Sequence, residues 1–479
     1  MRKELILGTV FLLSSALPSF AASDYEVEQL KQMVEQMRAE LQQVKEENQE
    51  LREEIQKLKG TKAPLRKEKG APSFLSKSGK KVDFYGYFKI DASYSDSKAV
   101  GTDYILFAYP ENVRGGLANK LPFLRNSNDN DFNINFKHSR FGFDIKTKEN
   151  GYDILGKFEF DLYRTDTNDW ENNDPNKQVV RVRRAFVQLK GDSWSILAGQ
   201  EWMLLTQLYP HLSNFPSGAL MGNIGYRIPQ IRLSKWFETD SGKFTIQTAL
   251  DKEFGETDTP WFDTGSDSGL PDLQGRITYD TNLNGLKFHI GAIGHVGREQ
   301  VDLADGGNKD LDSYSYGLEY KLGYGMFELS GKIWKGRNLD KWYTGGVGQG
   351  VLFIYNGGKF DTKLDTKKYG YPIDAKEIDA EGGWIELTTK FSPRLVWRIG
   401  AGVDNPDNDD LKYNGKYAVM ARLKNTMYYT NLFYKLTPSI GLMGEYLRVE
   451  TDYPDEDYIG TKYGDGTVNR FQGSILYFF

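Results

Sequence analysis

The sequence contains no cysteine among its 479 residues. A disulfide, a thiolate metal site and a cysteine nucleophile are therefore excluded. The net charge is small, −5 with neutral histidines, which argues against a dedicated nucleic-acid-binding protein. After residue 22 no stretch approaches the ~20 apolar residues that a transmembrane helix requires. Disulfide-stapled domains and helical membrane proteins are thereby excluded for the rest of the chain.

Catalytic and cofactor-binding motifs are also missing. The chain has 4 histidines but no H-E-x-x-H pair, and no serine lies in a nucleophile-elbow pattern. The glycine-rich segment 345–350 lacks the Lys-Ser/Thr pair of a phosphate-binding loop. We therefore predict no catalytic residue, no metal site and no cofactor, and a protein that is not an enzyme. Calcium binding by the acidic segments 404–410 and 452–457 stays open.

The first 22 residues have the pattern of a signal peptide. Arg2 and Lys3 precede an apolar core from Leu5 to Leu17, and small residues flank a cleavage site after Ala21. The apolar core is too short to span a bilayer. The sequence thus predicts an exported chain, either soluble in the periplasm or outside the cell, or inserted in the outer membrane as a β-barrel.

A heptad pattern over residues 24–59 predicts an α-helical coiled coil in the periplasm. Its a and d positions, spaced alternately by three and four residues, are Val27, Leu30, Val34, Met37, Leu41, Val44, Asn48, Leu51, Ile55 and Leu58. One copy cannot bury this apolar stripe, so we expect a homo-oligomer, and the polar Asn48 fixes its register. Residues 60–81 contain Pro64, Pro72 and mostly basic charges, and they predict a flexible basic linker.

From residue 82 the period of the pattern changes to two, the period of a β-strand. Phe84, Phe88 and Ile90 alternate with polar or tyrosine residues, and similar alternation recurs in 140–146 and 286–290. Aromatic residues make up 14% of the chain and hydrophobic residues only 39%, a mixture that suits barrels with an apolar outside and a wet lumen. A soluble β-sandwich alternates in the same way, so this pattern leaves both classes open.

The connections between the predicted strands separate the two classes. We predict sixteen strands within residues 82–479, with tight turns alternating strictly with long connections. The long connections are 96–130, 166–177, 203–225, 252–271, 298–311, 337–380, 405–416 and 451–467. Short periplasmic turns and long outer loops are typical of outer-membrane barrels. The sequence therefore predicts an all-β, up-and-down antiparallel transmembrane barrel that follows the coiled coil.

The last strand supports the same class of protein. Apolar residues alternate from Phe471 to Tyr477, and the sequence ends on Phe479. The outer-membrane assembly machinery recognises a last strand that ends on a terminal aromatic residue. Tyr477 and Phe479 are therefore the predicted assembly signal.

Several short motifs in the predicted strands resemble one family when they are taken in order. They are Asp83–Tyr87, Ser139–Phe143, Arg184–Leu189, Gly199–Trp202, Arg227–Arg232, Gly444–Tyr446 and Tyr477–Phe479. Their order and spacing resemble the DcaP-like trimeric porins, and phosphate-selective porins share some of them. The resemblance implies a trimer and a constriction loop at 203–225. Asn48 and residues 337–380 depart from the family's pattern.

The implied constriction loop contains no Asp, Glu, Lys or Arg and a single histidine, His211. We therefore expect the barrel wall to set ion selectivity. Alternation predicts pore-lining cations at Arg140, Lys157, Arg184, Arg232, Arg276 and Lys287, and opposing acids at Asp144, Glu159, Asp161 and Glu201. Arg and Lys rings in a pore favour anions. Pairing of these cations with the acids would cancel that preference, and the sequence leaves both outcomes open.

These patterns predict an outer-membrane porin for passive diffusion of small hydrophilic solutes, with a preference for anions such as carboxylates or phosphate. The expected partners are further copies of the chain, outer-membrane lipid and lipopolysaccharide, the assembly machinery and the solutes, without nucleic acid. The alternative is a structural envelope protein whose coiled coil tethers the barrel toward the cell wall. The solute, the pore width, the strength of selectivity, trimer against dimer and the role of 337–380 stay open.

Overall fold

The computed structural model describes residues 42, 73–75, 80–101, 103–119, 129–163, 179–215, 217–252, 268–339 and 343–479. The predicted signal peptide (1–22), the coiled coil (24–59, apart from residue 42) and most of the linker (60–81) lie outside the described residues. No helix in the described part of the chain is long and apolar enough to cross a membrane. The strands described below belong to the second of two compact units, Gly70–Phe479.

Sixteen long antiparallel strands form one closed sheet. Each strand pairs with the next in sequence, and the last pairs with the first, with Asp91 opposite Ser474. The predicted sixteen-stranded up-and-down barrel is confirmed. The strands are β1 (Lys81–Ser95), β2 (Arg140–Glu149), β3 (Tyr152–Asp161), β4 (Arg181–Lys190), β5 (Trp194–Trp202), β6 (Arg227–Thr239), β7 (Gly242–Asp251), β8 (Asp272–Leu283), β9 (Leu286–Asp302), β10 (Asn308–Tyr324), β11 (Phe327–Arg337), β12 (Asp379–Lys390), β13 (Leu395–Pro406), β14 (Lys424–Lys435), β15 (Ile440–Asp452) and β16 (Gly466–Phe478).

The faces of these strands are reversed relative to those of a soluble β-protein. Val187, Ile231 and Ile333 point outward and are 58–59% exposed, whereas Glu319 and Lys332 are fully buried inside. A continuous apolar band on the outside is stable in contact with lipid, while in water it would be an aggregation surface. The alternation therefore belongs to a membrane barrel, and the soluble β-sandwich is excluded.

The short connections lie at one end of the barrel and fit tight hairpins. Asn150 and Gly151 have φ angles of 51° and 84°, and Asn284 and Gly285 have φ angles of 51° and 91°. Two consecutive positive φ values give the turn that matches the twist of paired strands, and Asn-Gly is its preferred sequence. The turn expected at Gly323-Tyr324 lies two residues later, because β10 continues to Tyr324 and β11 begins at Phe327.

The long connections carry small elements of their own. The short strands are Glu111–Gly115 paired with Thr461–Gly464, Val351–Tyr355 between Lys359–Asp361 and Asp374–Glu377, and Lys412–Tyr413 paired with Lys416–Tyr417. A helical turn, α1, spans Thr366–Tyr369, and short 3-10 turns span Gly116–Asn119, Leu204–Thr206 and Gly346–Gly348. The long connection predicted at 298–311 is wrong, since β9 runs to Asp302 and β10 begins at Asn308.

Two further short strands pair with β1. Asp131–Asn135 pairs with Asp91–Ser95, beyond the part of β1 that pairs with β2. One extra residue between Asn135 and Arg140 forms a bulge there. Ser73–Leu75, within the predicted linker, pairs with the start of β1 at Lys81. The barrel therefore begins at Lys81, and the short strand that precedes it is hydrogen-bonded to the first residues of β1.

Candidate functional site

The connection from β5 to β6, residues 203–226 and here named L3, folds into the lumen. Met203, Leu204 and Leu205 at its start are fully buried. Met203 and Leu205 pack with Ile224 and Trp334 into an apolar cluster inside the barrel. An inward loop therefore lies where the family resemblance implied a constriction loop.

Two carboxylates on the barrel wall hold the far part of L3. Glu386 on β12 accepts the backbone N–H of His211 at 2.8 Å, and His211 Nδ1 lies 2.8 Å from its second oxygen. Glu445 on β15 accepts the backbone N–H groups of Ser213 at 2.6 Å and Asn214 at 2.8 Å. Hydrogen bonds to ionised groups are roughly twice as strong as neutral ones. L3 lacks charge of its own, so wall charges anchor it through its backbone.

Other wall residues fix the rest of L3. The buried Lys332 on β11 donates to the Leu205 carbonyl, and Lys89 on β1 donates to the Ser213 carbonyl at 3.2 Å. Gly222, at φ 105°, lies against the backbone of β12 so closely that a side chain there would collide with the Gly383 carbonyl. L3 is thus attached to the inner face of β1 and β11–β15 over most of its length.

The opposite inner surface is formed by β2–β6. L3 contacts this surface through Phe215, whose ring centroid lies 4.9 Å from the Arg181 guanidinium, and through the Tyr226 hydroxyl, which accepts a hydrogen bond from Arg181. Seven cationic side chains of this surface are here named the basic wall: Arg140, Lys157, Arg181, Arg183, Arg184, Arg227 and Arg232. Arg140, Lys157, Arg184 and Arg232 were predicted to line the pore.

Most cations of the basic wall pair with the four predicted opposing acids. Arg140 Nε lies 3.7 Å from Glu159, and Lys157 Nζ lies 2.5 Å from Asp144. The remaining pairs are Arg184 with Glu201, Arg181 with Asp161, and Arg183 with both Glu159 (3.0 Å) and Asp161 (2.8 Å). The pairing that the sequence left open is therefore present for these five cations.

Arg227 and Arg232 differ from the other five. Within the described residues, neither has a carboxylate oxygen within 4 Å. Arg232 donates from Nε to Gln230 at 3.0 Å, and Arg227 stacks on Trp202 and Tyr226 with centroid distances of 4.7 and 4.6 Å. Arg227 Nε and Nη1 have no hydrogen-bond partner there. These two guanidinium groups are the cations of the wall that have no carboxylate partner among the described residues.

Tyr226, at the end of L3, lies beside these arginines, and their positive charge affects the pKa of its hydroxyl. Burial opposes ionisation of its hydroxyl, but the neighbouring Arg227, Arg181 and Arg183 more than offset that effect and lower the pKa of Tyr226. Its hydroxyl accepts hydrogen bonds from Arg227 at 2.9 Å and Arg181 at 3.3 Å. Two guanidinium groups therefore meet at this hydroxyl.

Sequence alternation missed Arg181 and Arg183. With Arg184 facing inward, strict alternation assigns residue 183 to the outside, yet Arg183 is only 2% exposed and faces the lumen. The register shifts between β3 and β4, where Glu159 lies opposite Arg184 and Phe160 opposite Val182. Such a β-bulge places adjacent residues on one face, and no residue type here marks its position.

The remaining predicted site residues lie elsewhere. Arg276 on β8 pairs with the buried Glu319 at 2.5 Å, and Lys287 is exposed near the start of β9, at the end with the short turns. Tyr477 points outward, and the Phe479 ring lies 5.2 Å from Phe84. The ten seam positions from Val27 to Leu58 lie outside the described residues. The basic wall therefore includes four of the six predicted cations.

Residues 338–378, here named L6, fold over L3 within the same chain. The Tyr343 carbonyl accepts the N–H of Gly225 at 2.7 Å, and the Thr344 carbonyl accepts the N–H of Leu220 at 3.1 Å. Leu339 and Tyr343 are buried with Met203 and Ile224. The connection that the sequence could not assign thus covers L3.

A closed barrel with an apolar outside, a charged lumen and a loop folded across that lumen defines an outer-membrane channel. The model of the Gram-negative porin family matches residues 70–454, and the chain belongs to that family. Members of this family are channels rather than enzymes. No curated protein matches the chain in sequence.

Solved porin structures share the fold. The outer membrane channel DcaP of Acinetobacter baumannii gives a TM-score of 0.63 at 18% identity, over 86% of this chain and 100% of that one. The anion-selective porin of Comamonas acidovorans gives 0.50 at 13% identity over 84% of this chain, and Salmonella typhi OmpF, in complex with daunomycin, gives 0.50 at 15% over 85%, each over its full length. The resemblance to DcaP-like porins is confirmed, and at these identities the likeness to each structure shows the fold alone.

Proposed function

We propose that the protein is a passive porin that prefers small anions such as carboxylates or phosphate. The supporting observation is the charge of the basic wall, where seven Arg and Lys side chains face four carboxylates. Two of the three excess charges come from Arg227 and Arg232, which have no carboxylate within 4 Å in the described structure. The third arises because Arg140, Arg181 and Arg183 share two acids, Glu159 and Asp161. Cations fixed in a wall of low dielectric constant attract anions and repel cations.

We infer that solutes pass between L3 and the basic wall. The inner face of β11–β15 is occupied by L3 through Lys332, Glu386 and Glu445. On the other side of L3, the side chains of Arg140 and Arg184 are 29% and 28% exposed. L3 contributes no acid that would attract cations into this space, so the wall dominates the field.

The reversal potential of single channels in a salt gradient tests this proposal. Replacing Arg140, Arg184 and Arg232 together with Ser removes three cations and leaves Glu159 and Glu201 in place, so selectivity should move toward cations. The matched control is Arg298→Ser, which removes an exposed arginine that pairs with Asp310 and Asp312 on the outer face of β9–β10. An unchanged reversal potential in the triple variant, or an equal shift in the control, contradicts the proposal. A barrel that conducts no ions would favour the envelope tether.

We further propose that the exported chain assembles as a homotrimer, held by the periplasmic coiled coil of residues 24–59. The seam from Val27 to Leu58 supports this, because its apolar stripe needs partner helices. The apolar outer band and the terminal Phe479 fit outer-membrane lipid, lipopolysaccharide and the assembly machinery as further partners. Deleting 24–59 should lower the detergent resistance of the trimer. A dimeric mass for the full chain contradicts the proposal.

A further inference from the structure

Two acidic residues face each other where β7 ends and β8 begins. Asp251 and Asp272 are direct partners across the two strands. Both point inward, since they are 3% and 2% exposed while their neighbours Leu250 and Leu273 are 48% and 45% exposed on the outside. Directly opposed side chains of antiparallel strands have Cβ atoms about 4.5–5.5 Å apart. Two buried carboxylates therefore share one small volume.

The described part of the protein does not satisfy Asp251. Neither of its carboxylate oxygens has a hydrogen-bond partner there. The nearby guanidinium of Arg232 donates instead to Gln230 and to the Trp202 carbonyl. The connection that follows β7 contains a single basic residue, the exposed Lys252. Residues 253–267 contain five acids and no Lys or Arg. A buried ionised carboxylate without a partner is strongly destabilising, so a positive species is expected at this position.

Asp272 is only half satisfied. Its Oδ2 accepts a hydrogen bond from the Tyr343 hydroxyl of L6, while its Oδ1 has no partner in the described structure. Its carboxylate occupies the space above Gly297 on β9, where any side chain would collide with it. The fully buried carboxamide of Gln274 adjoins Asp251, and its oxygen accepts the N–H of Leu204 in L3 at 2.7 Å.

We propose that Asp251 and Asp272 bind a divalent cation of the calcium class at the outer end of the barrel. Hard cations of this class take carboxylate, amide and water oxygens. In the described part of the chain no three His, Asp or Glu side chains form a metal-binding group, so water completes the coordination. A site with two carboxylates is expected to bind with a dissociation constant on the order of 0.1–1 mM. The bound cation would fix L6 to the wall through Tyr343 and Asp272.

Terbium luminescence of the purified full-length protein tests the site, because terbium occupies calcium sites and is excited through a nearby tyrosine. The wild type should give saturable emission that calcium displaces. Asp251→Asn should weaken terbium binding about tenfold, since it removes one of the two charges. Tyr343→Phe should lower the emission while calcium binding, measured by calorimetry, persists. Gly297→Ala should also weaken binding by displacing Asp272.

The control is Asp310→Asn, which removes an exposed acid that pairs with Arg298 and should leave the emission unchanged. Calcium should also raise the thermal unfolding midpoint of the wild type, a measurement that needs no variant to fold. Absence of saturable emission together with a calcium-independent midpoint would overturn the proposal, and the two acids would then share a proton. Equal loss of emission in Asp310→Asn would overturn it as well.

Discussion

The inner face of β11–β15 and the basic wall of β2–β6 both carry charged residues, but they use them differently. On the first surface, Lys332, Glu386 and Glu445 bind the backbone of L3. On the second, seven cations face four acids and border the space beside L3. Arg227 and Arg232 are buried, as these anchors are, but within the described residues they have no carboxylate partner, so their charge is not compensated locally. We therefore expect the presence or absence of a counter-charge, together with position relative to L3, to decide which charges influence permeation.

The largest effect should come from detaching L3 from its wall. The double variant Glu386→Ala and Glu445→Ala removes acceptors for His211, Ser213 and Asn214, and hydrogen bonds to charged groups each contribute about 1.5–3 kcal/mol. Single-channel conductance should increase roughly twofold and become noisy, because L3 leaves its position. Glu328→Ala is the control, since Glu328 pairs with Lys321 and Lys390 near the short turns. Wild-type conductance in the double variant contradicts the role of these anchors.

The next largest effect is a loss of stability without a change in ion selectivity, and it is expected on the wall that holds L3. Lys332→Met leaves the Leu205 carbonyl and part of the Glu319 charge without a buried partner. Losing a hydrogen bond that involves a charged group costs about 1.5–3 kcal/mol of the free energy of unfolding. Urea unfolding in lipid vesicles should show this loss, while the reversal potential stays close to that of the wild type. A large shift in selectivity would mean that Lys332 faces the solute path.

Arg227→Met should behave in the opposite way. Arg227 is buried and has no carboxylate partner in the described structure, so an apolar side chain against Trp202 should leave the free energy of unfolding unchanged or raise it. The anion-to-cation permeability ratio should fall about twofold, because an uncompensated charge is removed. The combination of unchanged unfolding and reduced anion preference distinguishes the basic wall from the wall that holds L3.

A smaller effect of opposite sign is expected from Glu201→Gln. Gln has a single carbonyl oxygen, which can accept either the N–H of Trp202 or a hydrogen bond from Arg184, and it no longer neutralises that arginine. The anion preference should therefore increase modestly in the same reversal-potential measurement. A decrease would show that the acids, rather than the cations, dominate this part of the lumen.

The smallest effect is the salt dependence of the wild-type channel. The screening length shrinks from about 10 Å at 0.1 M salt to about 3 Å at 1 M. An anion preference that arises from the field of the wall should therefore decline as salt rises. A preference that is independent of salt would point to pore size instead.

Period-two patterning and turn chemistry predicted the barrel because both follow from local sequence. Alternation places Arg184 correctly, and Asn150-Gly151 marks its turn without tertiary information. The long connection predicted at 298–311 was wrong because β9 and β10 stay paired as far as Asp302 and Asn308. In that part of the two strands the alternation includes charged residues such as Arg298 and Asp310. Local patterns therefore predict which segments form strands better than they predict where those strands end.

The candidate site was less predictable because it depends on contacts distant in sequence. Arg183 faces the lumen through a bulge whose position no residue type reveals. Glu386 and Glu445 hold L3 by accepting its backbone N–H groups, and a backbone donor has no sequence signature. Pairing of Lys157 with Asp144 was foreseeable as a possibility, but the absence of a partner for Arg227 follows only from the three-dimensional arrangement.

We propose that solutes pass between L3 and the basic wall, and the lack of cysteine allows a direct test of this path. A single cysteine is introduced at Arg184→Cys on the basic wall or at Ser474→Cys, where the native serine contacts Ser213 of L3. The current is then recorded while an anionic methanethiosulfonate reagent is added. We expect the current to fall for Arg184→Cys and to stay constant for Ser474→Cys. Block at residue 474 with no change at residue 184 would contradict it.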